Sequence, residues 1–233
     1  MVICYRLSAM FSIEQFYQTY ETETAEVVIN GKKFQMLLPG YLHRFIDPIN
    51  VLHDFPLWAK IWQASWVLSV YLADLPPDAS KRLLEIGAGM GLVSIVAANF
   101  GHQITMTEYN ADALNFARAN AFLNNCPDLP IKKLDWNLSR PTHQFDMIVA
   151  SEVTYKKDDF IPLTRLFKSH LKPGGEIILA SEIRESIMDL FGFFKSDFDI
   201  TVVKKTLRSE AVAVPVVLLK MRPKVEPVTR YRS

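Results

Sequence analysis

The sequence predicts a doubly wound α/β domain, with a mostly parallel sheet and a helix-and-hairpin extension at its amino end. Three observations predict it. Short apolar runs alternate with helical patterns from residue 58 onward, as successive βαβ units require. Four of those runs close on polar or acidic residues, at Glu85, Glu108, Asp135 and Ser151-Glu152, and open α/β sheets bind ligands outside the carboxyl ends of their strands. The first run passes straight into the turn Gly87-Ala88-Gly89-Met90-Gly91, where missing Cβ atoms free φ and let a ligand approach the backbone.

In chain order, Phe11, Phe16, Tyr17 and Tyr20 have the spacing of a short amphipathic helix. Residues 26–38 alternate around Asn30-Gly31, a pair favoured in two-residue hairpin turns. Helix and hairpin together are expected either to serve as a lid or substrate-recognition element or to cover one face of the sheet. Residues 58–72 predict one helix carrying Trp58, Trp62 and Trp66 at i, i+4 and i+8; such a stripe is usually core, and Trp58 and Trp66 are assigned to packing. Strands follow at 82–86 and 103–107, and Asn110 opens a helix to residue 123. A short strand at 131–134 closes on Asp135-Trp136-Asn137, and residues 145–150 are almost continuously apolar, as a strand buried on both faces must be. A helix over 158–171, the turn Pro173-Gly174-Gly175, a strand over 176–180 and a helix over 185–194 come next. Strand-like runs at 200–207 and 212–221 complete a seven-stranded count.

Composition bounds what such a domain can do. A chain of 233 residues that is 49% hydrophobic can bury one substantial core. The expected organisation is an extension over 1–55, a ligand-binding domain over 56–222 and a basic tail over 223–233, solvated and poorly ordered. Twenty-six basic against 25 acidic side chains give a net charge of +1, without the general polyanion attraction of nucleic-acid proteins. No apolar stretch approaches twenty residues, so no membrane span is expected, and the amino end lacks a secretory succession, which makes cytoplasmic the default location. Cys4 and Cys126 form no metal or C-x-x-C spacing and are expected to be reduced thiols; the five histidines are scattered, and no metal site is expected.

The ligand class follows from the strand tips. A pyrophosphate over the glycine turn would be repelled by a carboxylate at Glu85 aimed into the same crevice. A nucleoside carrying no phosphate but an ammonium and a sulfonium, S-adenosylmethionine (SAM), has the opposite requirement. Glu108, about twenty residues past the glycines, stands where an acidic side chain accepts from ribose hydroxyls. Its alternative role is to cap the helix that starts at Asn110.

Residues 56–184 resemble a class I, seven-β-strand SAM-dependent methyltransferase, and more narrowly the branch of small protein-lysine methyltransferases. The resemblance is carried by Trp58-Ala59-Lys60-Ile61-Trp62-Gln63-Ala64-Ser65, by Glu85-Ile86-Gly87-Ala88-Gly89-Met90-Gly91, by Glu108, by Asp135-Trp136 and by Ser151-Glu152-Val153-Thr154-Tyr155. It implies a Rossmann-like sheet with the last strand antiparallel and SAM as cofactor. By that similarity Trp62 closes over the methionine end, Asp135 and Trp136 contact the adenine, the Ser151 backbone lies beside the methionine portion, and Glu152 and Tyr155 face the methyl acceptor. A protein side-chain nitrogen, lysine above all, is the expected acceptor. A nucleic-acid base amine is disfavoured because the motif after the fourth strand is Glu152-Val153-Thr154-Tyr155, with no prolines. A small-molecule methyltransferase and a non-catalytic SAM-binding or partner-binding module remain as alternatives.

Overall fold

The computed structural model describes residues 11–46, 55–138, 143–154, 156–184, 186–208 and 213–224; Cys4, Tyr155 and the basic tail from residue 225 lie outside the described residues. Helix α1 (Ile13–Thr19) opens on Ser12, whose hydroxyl accepts from the Gln15 amide, one of the amides a helix start leaves unpaired. Strands β1 (Thr22–Ile29) and β2 (Lys32–Pro39) form an antiparallel hairpin. Its turn places Asn30 at φ 48° and Gly31 at φ 78°, the left-handed pair that matches strand twist in a two-residue hairpin.

The helix expected over 58–72 starts later. Leu57–Ala59 is a single 3₁₀ turn, Lys60 and Trp62 are extended, and α2 runs Gln63–Asp74. Trp58 and Trp62 therefore do not share a helical stripe with Trp66. Tertiary contacts decide this: the Trp58 ring lies against Phe45 and Phe116, with centroids 5.0 and 5.6 Å apart, and the Trp62 indole donates to the Leu57 carbonyl at 2.8 Å. Buried aromatic surface outweighs the few tenths of a kcal/mol per residue that helix propensity offers.

Alternation of strands and helices then proceeds as β3 (Arg82–Glu85), α3 (Leu92–Asn99), β4 (Gln103–Glu108), α4 (Ala111–Leu123), β5 (Ile131–Lys133), β6 (Phe145–Ser151), α5 (Phe160–His170), β7 (Leu171–Glu182), α6 (Ser186–Phe194), β8 (Phe198–Arg208) and β9 (Ala213–Pro223). The seven-stranded sheet has the order β5-β4-β3-β6-β7-β9-β8. Neighbours from β5 to β7 are parallel, and β9 runs antiparallel to both β7 and β8. Strand β7 begins earlier than the apolar run alone indicates: Leu171 pairs with Phe145 and Glu176 with Met147, so Pro173-Gly174-Gly175 is an irregularity within the strand.

Successive residues of the central strands face opposite layers. Leu83, Ile104, Met106, Val149 and Ile178 pack toward α2, α3 and the hairpin, whereas Leu84, Ile86, Ile148, Ile177 and Leu179 pack toward α5 and α6. Chain order reverses at β3, since β4 lies on one side and β6 on the other. A crevice opens at such a switch point, outside the strand ends.

The hairpin is fastened to this sandwich through polar side chains of α4. Asn120 is fully buried; its carbonyl accepts from the Leu37 amide at 2.7 Å, and its amide donates to the carbonyls of Leu37 and Met90. One turn later, Asn124 accepts from the Gln35 amide at 3.0 Å and donates to its carbonyl at 2.7 Å. Gln35 and Leu37 sit two residues apart and thus point to one edge of β2, so the two asparagines complete that edge as a neighbouring strand would.

Candidate functional site

A cavity of about 350 Å³ lies at the switch point, within the size range of small-ligand sites. Its wall is the glycine turn from Gly87 to Leu92, Glu108 and Tyr109 after β4, Trp136 after β5, and Ser151, Glu152 and Val153 after β6. Leu57, Trp58, Lys60, Ile61 and Trp62 close the other side. Of the residues singled out in the sequence, Trp62, Gly87, Gly89, Gly91, Glu108, Trp136, Ser151 and Glu152 come together here. Tyr155 lies outside the described residues.

The glycines earn their place through conformation and packing. Gly87, Gly89 and Gly91 all have positive φ (61°, 55° and 91°), where a Cβ is strained. A Cβ on Gly87 would also stand 2.6 Å from Val153 Cγ1, and one on Gly91 2.6 Å from Met106 Cε. The turn thus lies directly on β4 and on the segment after β6.

Glu108 does not take the capping role that was one of its two expected roles, because Asn110 caps α4 by accepting from the Ala113 amide; Glu108 fixes the turn just ahead of that helix. Its Oε1 accepts from the amides of Tyr109 (2.6 Å) and Asn110 (2.9 Å), and its Oε2 accepts from the Gly89 amide at 2.8 Å. A carboxylate has about four acceptor positions. Three amides leave one for a ligand in the cavity that Glu108 lines.

Glu85 does not point into the crevice. It is 1% exposed and turns toward α3, where Oε2 accepts from the Ser94 amide at 3.0 Å and from the Ser94 hydroxyl. Its Oε1 is buried with no hydrogen-bond partner. Burial pushes this carboxyl up to about 7, against the Ser94 hydrogen bonds and with the help of nearby Glu108. The reason is register: odd-numbered positions of β3 face the α3 layer, so a carboxylate two residues before the first glycine falls beneath the turn. Asp135 is likewise away from the cavity wall; its Oδ1 accepts from the Asn137 amide at 2.9 Å and the Asn137 side chain at 3.2 Å.

Glu152 is the least ordinary residue of the site. Its φ of 51° is left-handed, a conformation uncommon outside glycine and asparagine. The Glu152 amide donates to the Ala180 carbonyl at 3.0 Å, and Oε1 accepts from the Glu182 amide at 2.6 Å, which ties the tip of β6 to the end of β7. Oε2 faces Arg184 Nη2 at 3.4 Å. Burial raises the Glu152 carboxyl above its usual range, opposed by the Glu182 amide and the Arg184 charge. Asp159, also on the wall, hydrogen-bonds the Trp136 side chain, and burial raises its carboxyl too.

Arg184, Asp159, Asn120 and Asn124 were not singled out by sequence. Arg184 has no motif to mark it. The asparagines left a signal: they lie at i and i+4 of α4, in line with buried Phe116 and Ala117, where polar residues need partners.

Residues 57–196 match the family model described as lysine methyltransferase. The chain belongs to this family. Among its relatives is mouse protein N-lysine methyltransferase METTL21A, 34% identical over 134 residues that cover 54% of this chain and 61% of that protein. Calmodulin-lysine N-methyltransferase of Arabidopsis thaliana is 28% identical over 152 residues, covering 57% and 50%. Human histone-arginine methyltransferase METTL23 is 30% identical over 140 residues, covering 54% and 71%. The chain spans about three-fifths of the length of the METTL21A proteins it matches. Among solved structures, the glycopeptide N-methyltransferase MtfA complexed with S-adenosyl-L-homocysteine superposes with a TM-score of 0.57 at 16% identity, covering 67% of this chain and 88% of that one. That likeness shows the fold alone, a Rossmann-like sheet with its last strand antiparallel.

Proposed function

We propose that this member of the lysine methyltransferase family is a SAM-dependent protein N-methyltransferase whose acceptor is a lysine side chain. The observation that carries the proposal is the wall of the switch-point cavity, which combines the left-handed glycine turn, Glu108 with one acceptor position left, Glu152 and the Trp62 ring. Cavity-wall side chains include the carboxylates Glu108, Glu152 and Asp159 against Lys60 and Lys156, which suits a cationic nucleoside better than a phosphorylated one. SAM supplies a methyl group on a sulfonium for in-line displacement by a nitrogen lone pair.

In this proposal Glu108 and the glycine turn hold the ribose and methionine portions, and Trp136 packs beside the adenine. Trp62 and Glu152 position the acceptor and keep water from it, since holding the reacting atoms in line is most of what the protein must supply. A lysine amine of ordinary pKa near 10.4 is neutral at pH 7 only at a cost of about 4 to 5 kcal/mol. An apolar ring and a neighbouring cation lower that cost; a carboxylate raises it. Glu152 therefore captures and aligns the ammonium more than it removes the proton.

Among the described residues no helix is long and apolar enough to cross a membrane. We place the activity in the cytoplasm, on a protein substrate, with the boundaries 1–55, 56–222 and 223–233 separating extension, catalytic domain and tail. Calorimetry with SAM, followed by incubation with tritiated SAM and fractionated lysate before and after protease or nuclease, tests the proposal. Label that is protease-sensitive, nuclease-resistant and recovered as methyl-lysine is the expected result. Recovery as methyl-arginine or methyl-histidine would overturn the acceptor, and label in a small molecule would overturn the protein substrate.

A further inference from the structure

We propose that the Trp62 ring and the Glu152 carboxylate form a cation box at the acceptor side of the cavity, and that Arg184 is its resident occupant, displaced by the incoming ammonium before transfer. The proposal rests on the methyl-transfer reading above and names the step at which that site admits its substrate. The guanidinium carbon of Arg184 stands 5.6 Å from the Trp62 ring centroid, inside the range of cation–π attraction. Its Nη2 is 3.4 Å from Glu152 Oε2 and 3.3 Å from Glu182 Oε2. Both separations exceed the 2.7–2.9 Å typical of a charge-assisted hydrogen bond.

The two sides of this contact differ in freedom. Glu152 is held by its left-handed backbone and by the Glu182 amide on Oε1, and only 4% of its side chain is exposed. Oε2 is thus the oxygen that remains to face a cation. Arg184 is 38% exposed and touches a second carboxylate, so it can release Glu152 and keep Glu182. A buried carboxylate left without a cation is costly, and an arriving ammonium replaces one positive partner by another. The exchange leaves Glu152 paired throughout and excludes neutral acceptors. Lys60 Nζ lies 4.4 Å from the same ring centroid and is the competing candidate for the occupant; unlike Arg184, it is not within ion-pair distance of Glu152 in the structure.

The probes are n-butylammonium and Nα-acetyl-lysine methylamide, titrated against the full chain while the Trp62 indole N–H is followed by NMR and identified by its loss in Trp62→Phe. Arg184→Met and, as a second variant, Arg184→Gln should tighten probe binding about two- to fivefold, the range of an exposed ion pair removed. Glu152→Gln should weaken it, and n-butanol should not bind. Unchanged or weaker binding in both Arg184 variants overturns the proposal, as does tightening in Lys60→Met alone. Calorimetry with SAM on the same samples separates the two levels: SAM binding with no Arg184 effect removes only the occupant, whereas absence of SAM binding to the wild-type chain removes the methyl-transfer reading while the titration still decides the box.

Discussion

Replacing Glu108 by alanine should injure the fold and the ligand site together, by amounts that can be measured apart. The carboxylate accepts from three amides, those of Gly89, Tyr109 and Asn110, and two of them lie in the turn just before α4, where a negative charge also meets the positive end of the helix. A hydrogen bond to a charged group contributes about 1.5 to 3 kcal/mol, but the three share one carboxylate and water can reach the replaced position at the cavity. A net loss of about 2 to 4 kcal/mol in stability is expected, which for a slope near 2 to 3 kcal/mol/M lowers the urea midpoint by about 1 M. SAM affinity should fall further, by about 1.5 to 3 kcal/mol or roughly ten- to 150-fold, because the remaining acceptor position disappears as well. Urea unfolding without SAM reads the first quantity, and calorimetry at a temperature where the variant is folded reads the second. An unchanged midpoint would refute the claim that Glu108 holds the glycine turn, and wild-type affinity would refute its contact with the cofactor.

Glu85 titrates in the folded chain near 7 against about 4.5 when unfolded. A carboxyl with a raised folded value binds its proton more tightly when folded, so stability should decline as pH rises from about 4.5 to about 7, by up to roughly 3 kcal/mol. Glu85→Gln should lose that slope in urea titrations at pH 5, 6, 7 and 8; parallel curves for both proteins would show that burial does not hold the proton. Asn120→Ala leaves the Leu37 amide and carbonyl and the Met90 carbonyl without their partner and should cost about 2 to 4 kcal/mol, checked by thermal or urea unfolding. A loss below about 0.5 kcal/mol would mean the β2 edge is satisfied in another way. Glu152→Gln keeps the shape of the side chain and should leave SAM affinity near wild type while lowering turnover roughly ten- to a thousandfold; equal loss of SAM binding by calorimetry would make Glu152 a cofactor residue instead.

Local chemistry made most of the fold legible. Asn30-Gly31 marks the hairpin and adopts the left-handed pair it announces, Asn110 caps α4, and the almost continuously apolar run of β6 lies between two layers. What stayed hidden depended on distant partners. The start of α2 was displaced by Phe45 and Phe116, which lie 13 and 58 positions from Trp58 in the chain. The direction of Glu85 was set by strand register, which a glycine motif does not encode. Arg184 reaches the site because β6 and β7 are neighbours and Glu152 turns left-handed between them. Seven of the nine residues expected around the cofactor line one cavity, namely Trp62, the three glycines, Glu108, Trp136 and Ser151, while Glu85 and Asp135 do not.

Asn120 bonds at once to Leu37 of the hairpin and to the Met90 carbonyl of the glycine turn. One amide group is thereby shared between the amino-terminal hairpin and the glycine turn. A shortened chain starting near Pro56 would retain every residue of the glycine motif and yet present α4 with two stranded asparagines and Phe116 without its neighbours Phe16, Tyr20 and Phe45. Engineering that grafts a new amino-terminal segment onto this domain must therefore carry over the backbone edge at Gln35 and Leu37, whatever side chains it changes elsewhere on the hairpin.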